Sequence, residues 1–289
     1  MRQDTKELIQ KFKIRLTKSL GQNFLVDENI INRIVDASNI SETDLVIEVG
    51  PGIGNMTKKL AQKAGRIIAV EIDKYLIPPL TEVLKDYPNS SIINQDILKI
   101  SIRDVIEAEM AANDKLKTVK IVANLPYYIT TPIIMKFLEE NPGIHTLVFM
   151  IQKEVADRIV ASPGGKVYGA LSVAVQYYSK AEKVFDVSPH CFIPQPDVDS
   201  TVIRLNVYDK PQVELLNKDV FFQTVKASFG QRRKTLVNAL ANSNKFSADK
   251  EKIKEILLRM GINENIRGES LSISQFAQIA NELYAMSRV

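Results

Sequence analysis

The chain has 289 residues, 45% of them hydrophobic and 25% charged, the composition of a globular protein long enough for one large domain or a large one with a small companion. One cysteine, Cys191, excludes a disulfide framework, and two histidines, His145 and His190, make no Cys/His zinc set; apolar runs such as 147–151 are far shorter than the roughly 18 residues a membrane span needs. The net charge of +4 is uneven: residues 1–22 carry six basic and two acidic side chains, 23–210 carry 20 and 24, and 211–289 carry 12 and eight.

The start, Met1-Arg2-Gln3-Asp4, is polar and leads into no signal-peptide core, so a cytoplasmic, metal-independent protein with no membrane contact is expected. From about residue 27 to 206, short apolar runs alternate with amphipathic stretches. The strands expected, in order, are Leu45–Val49, Ile67–Glu71, Ser91–Asn94, Val119–Asn124, Thr146–Ile151, Lys183–Val187 and Ser200–Asn206. Helices are expected over Asn55–Lys63, Tyr75–Lys85 and Pro132–Glu139. Strand, helix, strand in repetition predicts a parallel sheet covered on both faces. After Pro211 the strand signals stop and helical periodicity runs through Asp219–Ser228, Thr235–Ala241, Asp249–Met260 and Ser274–Met286. Tyr208-Asp209-Lys210-Pro211 reads as a linker. The expectation is an α/β domain over residues 1–208 and a small all-α domain over 209–289. Basic ends flanking a slightly acidic middle suit ends that touch a polyanion and a body that holds a small cofactor, although a merely solvated surface gives the same imbalance.

The segment Glu48-Val49-Gly50-Pro51-Gly52-Ile53-Gly54 follows the first of these strands and precedes a helix. Glycines there permit positive φ and close approach of a ligand to the backbone, at the strand ends where open parallel sheets bind small molecules. A dinucleotide fingerprint would want a third glycine where Asn55 stands. Glu71 ends the next strand, and a carboxylate there accepts both hydroxyls of a ribose; a nicotinamide enzyme shares that acid, so the missing glycine discriminates. Asp96, in Asn94-Gln95-Asp96-Ile97, could accept from an adenine amine, or could be a turn or helix-capping residue.

The fourth strand runs into Asn124-Leu125-Pro126-Tyr127. An aromatic amine is a poor nucleophile because its lone pair is delocalised into the ring. The amide oxygen of Asn124 and the carbonyl of Leu125 could each accept one amine hydrogen and localise that lone pair. Pro126 biases Leu125 toward an extended conformation, and Tyr127 offers a face for an unstacked base. The bland alternative is a strand-ending turn with a core tyrosine. Phe192, in a proline-stiffened loop running to Ser200, could close the far side of the base or be an ordinary buried phenylalanine.

These blocks, with Lys18-Ser19-Leu20-Gly21-Gln22-Asn23-Phe24-Leu25, Gln152–Ala156, Tyr168–Val173, Phe192–Ser200 and Phe229–Leu236, span nearly the whole chain. In order and spacing they resemble the ribosomal RNA adenine dimethyltransferases, most closely the bacterial small-subunit members. The resemblance implies a Rossmann-like class I fold with a mostly parallel seven-stranded sheet and S-adenosylmethionine as methyl donor. It implies cofactor contacts from Asn23, Leu25, Gly50, Glu71, Asp96 and Asn124, with Asn124 also lining the target amine. The implied substrate is 16S ribosomal RNA in the small subunit or its precursor, with two methyls placed on each of two adjacent adenines in a hairpin near the 3′ end. A flipped-out adenine is then required, and a monomeric enzyme is expected. Basic residues in 1–18 and Gln231-Arg232-Arg233-Lys234 are candidates for RNA phosphates, or a solvated helix start and salt-bridge partners. Three rivals remain: a large-subunit (23S) methyltransferase of the macrolide-resistance type, a non-catalytic ribosome-assembly factor, and a nicotinamide oxidoreductase.

Overall fold

The structure, a computed structural model, describes residues 2–14, 21–141, 143–231, 233–243, 245–246 and 248–286. Ser19 and Leu20 lie outside the described residues, as do Arg15, Lys18 and Arg232 among the candidate RNA contacts. Two compact units emerge: residues 1–156 with 179–207, and residues 157–178 with 208–289.

The first unit opens with helix α1 (Arg2–Lys11) and the short strand β1 (Phe24–Leu25). Helix α2 (Glu28–Ala37) follows, its first turn capped by Asp27, which accepts from the backbone N–H groups of Asn29 and Ile30. Then come β2 (Asp44–Val49), α3 (Thr57–Ala61), β3 (Arg66–Glu71), α4 (Ile77–Leu84), β4 (Ser90–Asn94), α5 (Ile102–Ala112), β5 (Thr118–Asn124), α6 (Thr130–Glu140) and β6 (Ile144–Gln152). Helix α7 (Lys153–Ile159) and α8 (Ala170–Tyr178) precede β7 (Ser179–Val187), β8 (Phe192–Ile193) and β9 (Ser200–Val207). The large sheet has the order β4-β3-β2-β5-β6-β9-β7. Its strands are parallel from β4 to β6, and β9 runs antiparallel to both β6 and β7.

Every residue of β2 is buried, as a strand covered on both faces requires. Two of them are acids at opposite ends. Asp44, at the entering end, is satisfied by the Lys120 ammonium at 2.8 Å and by the Thr118 hydroxyl, so its charge is paired. Glu48 sits at the leaving end, facing the site. Because β3 lies on one side of β2 and β5 on the other, the order in which strands are added reverses there and opens the crevice where such sheets hold ligands.

The second unit carries α8, α9 (Lys218–Gly230), α10 (Leu236–Ala241), α11 (Lys250–Arg259) and α12 (Ile273–Met286). Its core is aromatic: Tyr177 packs on Phe221 with ring centroids 5.2 Å apart, and Phe229 lies 5.8 Å from both Tyr168 and Phe276. The sequence reading drew one boundary near residue 208. Spatially, residues 157–178 also group with the helices, because Tyr168, Val173 and Tyr177 are buried in that core. The Tyr168 hydroxyl donates to the Leu271 carbonyl at 3.0 Å, closing the segment down. No described helix is long and apolar enough to cross a membrane.

Candidate active site

The cleft at the carboxyl end of the sheet is lined by residues 21–25, 48–53, 95–97 and 124–129, with Asn55, Met56, Val70, Glu71, Ile72, Leu76 and Ile133. About 1090 Å³ of space lies within it and at its mouth, open solvent included. Of the expected site residues, Asn23, Leu25, Gly50, Glu71, Asp96, Asn124, Leu125, Pro126 and Tyr127 all converge on it.

The floor is the turn after β2. Gly50 has φ +65°, and a Cβ placed on it would meet no protein atom within 4 Å, so the backbone is bare toward open space. A Cβ on Gly52 would press against the Phe24 ring at 3.0 Å. Glycine at the first position keeps the floor low, and at the second it admits the aromatic wall. Glu71 holds the turn from β3: one carboxylate oxygen accepts the Gly52 N–H at 3.1 Å, the other the Asp73 N–H at 2.9 Å. Burial pushes its carboxyl up to about 7 against the pull of these donors. Asp73 in turn accepts from the Gln22 side chain at 2.8 Å, tying the N-terminal wall to the end of β3.

Asp96 takes the turn role and also lies at the cleft. Its Oδ1 accepts the Leu98 N–H at 3.0 Å, a turn-forming bond, and the same side chain lines the cleft.

At the end of β5, the Asn124 amide nitrogen donates to the main-chain carbonyl of Asn23 at 3.0 Å. That bond assigns the flip of the amide and leaves Oδ1 as an acceptor. Pro126 has φ −58° and ψ 131°, and its carbonyl accepts the Thr130 hydroxyl at 3.1 Å, seating the turn on α6. The Tyr127 hydroxyl lies 2.7 Å from the Ser200 hydroxyl, so the ring is held at both ends; burial pushes its phenol above the usual range.

Phe192 corrects an expectation. It does not line the cleft; it is 1% exposed and packs with Leu25, Ile34, Met150 and Val202. Strand pairing fixes its neighbours: β8 runs antiparallel to β1 with Phe192 opposite Leu25, and both residues belong to the same buried cluster.

Sequence reasoning also passed over cleft residues. Glu48 is 1% exposed, lines the cleft and has no hydrogen-bond partner for Oε2 among the described residues; burial pushes it up to about 8. Its signal was an acid one residue from the end of a strand, directly after the apolar run 45–47. Ile72 and Tyr128 line the cleft while 50% and 56% exposed, each directly following a residue that was singled out.

The model of the family described as ribosomal RNA adenine dimethylase matches residues 13–285. The chain belongs to this family. Among curated relatives of the dimethylase, ribosomal RNA small subunit methyltransferase A of Alkaliphilus oremlandii is 52% identical over 279 residues, covering 96% of each chain. The protein of the same name from Clostridioides difficile is 52% identical, over 96% of this chain and 94% of its own. Among solved structures, a dimethyladenosine transferase from Plasmodium falciparum superposes with a TM-score of 0.76 at 25% identity, over 92% of this chain and 98% of its own. The 23S rRNA methyltransferase ErmE gives 0.69 at 25% identity, over 91% and 100%. The dimethylase thus has the class I methyltransferase architecture and uses S-adenosylmethionine. Its cleft has the polarity such a molecule requires: a bare glycine floor, a buried carboxylate at Glu71 and, two strands away from β2, the carboxylate of Asp96.

Proposed function

We propose that this dimethylase transfers methyl groups to the N6 amines of two adjacent adenines in a 3′-terminal hairpin of 16S ribosomal RNA, dimethylating each. The observation that carries the reading is the Asn124 amide, oriented by the Asn23 carbonyl at 3.0 Å in the wall of the cleft. The names of the relatives support the small subunit as the substrate.

In this reading Asn23, Leu25, Gly50, Glu71 and Asp96 hold the cofactor. S-Adenosylmethionine supplies an electrophilic methyl there and leaves as S-adenosylhomocysteine. Asn124 Oδ1 accepts one hydrogen of the target amine and the Leu125 carbonyl the other, which pulls the nitrogen toward tetrahedral geometry. Tyr127, tethered to Ser200, stacks on the extruded base. As the N–C bond forms, the nitrogen takes on positive charge; an N-methylated aromatic ammonium is acidic and releases its proton to water. No strong base is needed, and the residues act mainly by positioning. The second methyl arrives on an amine with one hydrogen left, so the site must tolerate one acceptor without a partner.

The helical domain, residues 209–289, is assigned to recognition of RNA in the assembling subunit, on the strength of its 13 basic against nine acidic residues. The protein acts as a cytoplasmic monomer in this scheme. The test is transfer of radiolabelled methyl to unmethylated small subunits, large subunits and naked RNA. Label confined to two neighbouring adenines of 16S RNA supports the reading; label in 23S RNA supports the large-subunit alternative.

A further inference from the structure

Asn55 stands where a dinucleotide-binding turn would carry its third glycine, and its side chain is fully engaged. One amide hydrogen goes to the Leu25 carbonyl at 2.9 Å and the other to the Thr5 hydroxyl at 3.0 Å. Leu25 belongs to β1 and lines the cleft; Thr5 belongs to α1, is wholly buried and does not line it. Helix α1 also presents Leu8 and Ile9 to a cluster of Phe24, Val26, Ile53 and Leu76, of which Phe24, Ile53 and Leu76 are cleft walls. Among the described residues α1 has one further polar tether, Lys11 to Glu82 at 3.5 Å, which is exposed and contributes little.

We infer that Asn55 is a positioning residue that couples helix α1 to the cofactor cleft, so that α1 acts as the backing of the cofactor site. The physical case is connectivity. A single planar amide ties three separate segments: the glycine turn, the strand that forms the opposite wall, and a helix with no cleft contact through Thr5. Both hydrogen bonds are part-buried and Thr5 is wholly buried, so losing the Thr5 bond leaves a buried hydroxyl unpaired. With the Thr5 bond lost, the amide is free to rotate away from the Leu25 carbonyl, and the wall and turn lose their common register. A ligand gripping both wall and turn then reports on a residue it never touches. The inference rests on the reading of this cleft as the S-adenosylmethionine site.

The test is calorimetric binding of S-adenosylhomocysteine to the full-length wild type, Thr5→Val, Thr5→Ser, Asn55→Ala and the Thr5→Val/Asn55→Ala double variant. Thr5→Val is expected to weaken binding roughly three- to tenfold, the scale of one part-buried hydrogen bond, while Thr5→Ser restores it. The double variant should bind no more weakly than Asn55→Ala alone, as residues acting through one contact are non-additive. The apparent KM for small subunits should not move. Additive losses, or a lowered melting temperature with unchanged affinity in Thr5→Val, would overturn the proposal and leave a plain packing contact. Hydrogen exchange supplies a reading without substitution: bound S-adenosylhomocysteine should slow exchange in α1, and equal rates would also overturn it. If the wild type binds no S-adenosylhomocysteine, the cofactor reading itself has failed instead.

Discussion

The Asn124 side chain and the Asn23 main chain are joined at 3.0 Å across 101 residues of sequence. The bond closes the wall of the cleft between the N-terminal segment and the end of β5, and it turns the amide oxygen of Asn124 into the free acceptor. Neither asparagine alone defines the geometry. A carboxylate at 124 could not donate to that carbonyl and would face it with a second lone-pair-bearing oxygen.

Asn124→Asp and Asn124→Ala should therefore lower methyl transfer to small subunits by roughly a hundredfold or more, the scale of losing one preorganised polar contact at a reacting centre. Affinity for the small subunit should survive, since the proposed reading gives most of the RNA phosphate contact to the basic helical domain. Filter binding alongside transfer assays separates the two; near-normal transfer by Asn124→Ala would remove the residue from the chemistry.

The Glu71 carboxyl, pushed up to about 7 by burial, makes cofactor affinity depend on pH. Its ionised form has the acceptor capacity two ribose hydroxyls require, and the proton must be displaced before they bind. Affinity for S-adenosylhomocysteine should thus rise as pH climbs through 7 and level off above it. Titration calorimetry between pH 6 and 8.5 should show this inflection in the wild type and a weaker, flat profile in Glu71→Gln.

The legible parts of this molecule are those with local or periodic signals. Apolar runs placed β2, β3, β5 and β6, and the glycine turn with acids at two later strand ends marked the cleft. What the sequence did not disclose depends on partners far along the chain. Strand β1 is two residues long and exists by pairing with β8 near residue 192, so no periodicity announces it. The same pairing decides which way Phe192 faces. Helix α2 is ten residues long with a clear Asp27 cap, yet it precedes the first strand of the large sheet and so falls outside the alternating pattern. Residues 157–178 join the helical unit through Tyr168 and Tyr177, and an aromatic buried in one core looks in sequence like an aromatic buried in another.

Phe192 offers a direct separation of packing from catalysis. Because it is buried beside Leu25, Met150 and Val202, Phe192→Ala should cost roughly 3–5 kcal/mol of stability. Phe192→Leu keeps most of the volume and should cost about 1 kcal/mol with transfer at saturating substrates within twofold of wild type. Chemical denaturation and initial rates on the leucine variant decide the matter: a large fall in rate with little loss of stability would return Phe192 to the base-binding surface.

Glu48 carries the clearest pH signature in stability. Burial pushes its carboxyl from an ordinary 4.5 up to about 8, and Oε2 has no partner among the described residues. Below 4.5 both folded and unfolded chains hold the proton, and the group's contribution is intact. Between 4.5 and 8 the unfolded chain ionises while the folded one does not, so stability drains away as pH rises and the loss is complete once pH passes 8. Glu48→Gln removes this slope at nearly constant volume. Near pH 5 the variant should melt at or slightly below the wild type, because its amide finds no better partner than the acid had. By pH 8 it should melt higher, by on the order of 5 °C. Melting curves of the cofactor-free protein at pH 5, 6.5 and 8 test this; a melting difference constant across that range would mean that Glu48 is ionised in the fold, with water or another group paying the cost of its burial.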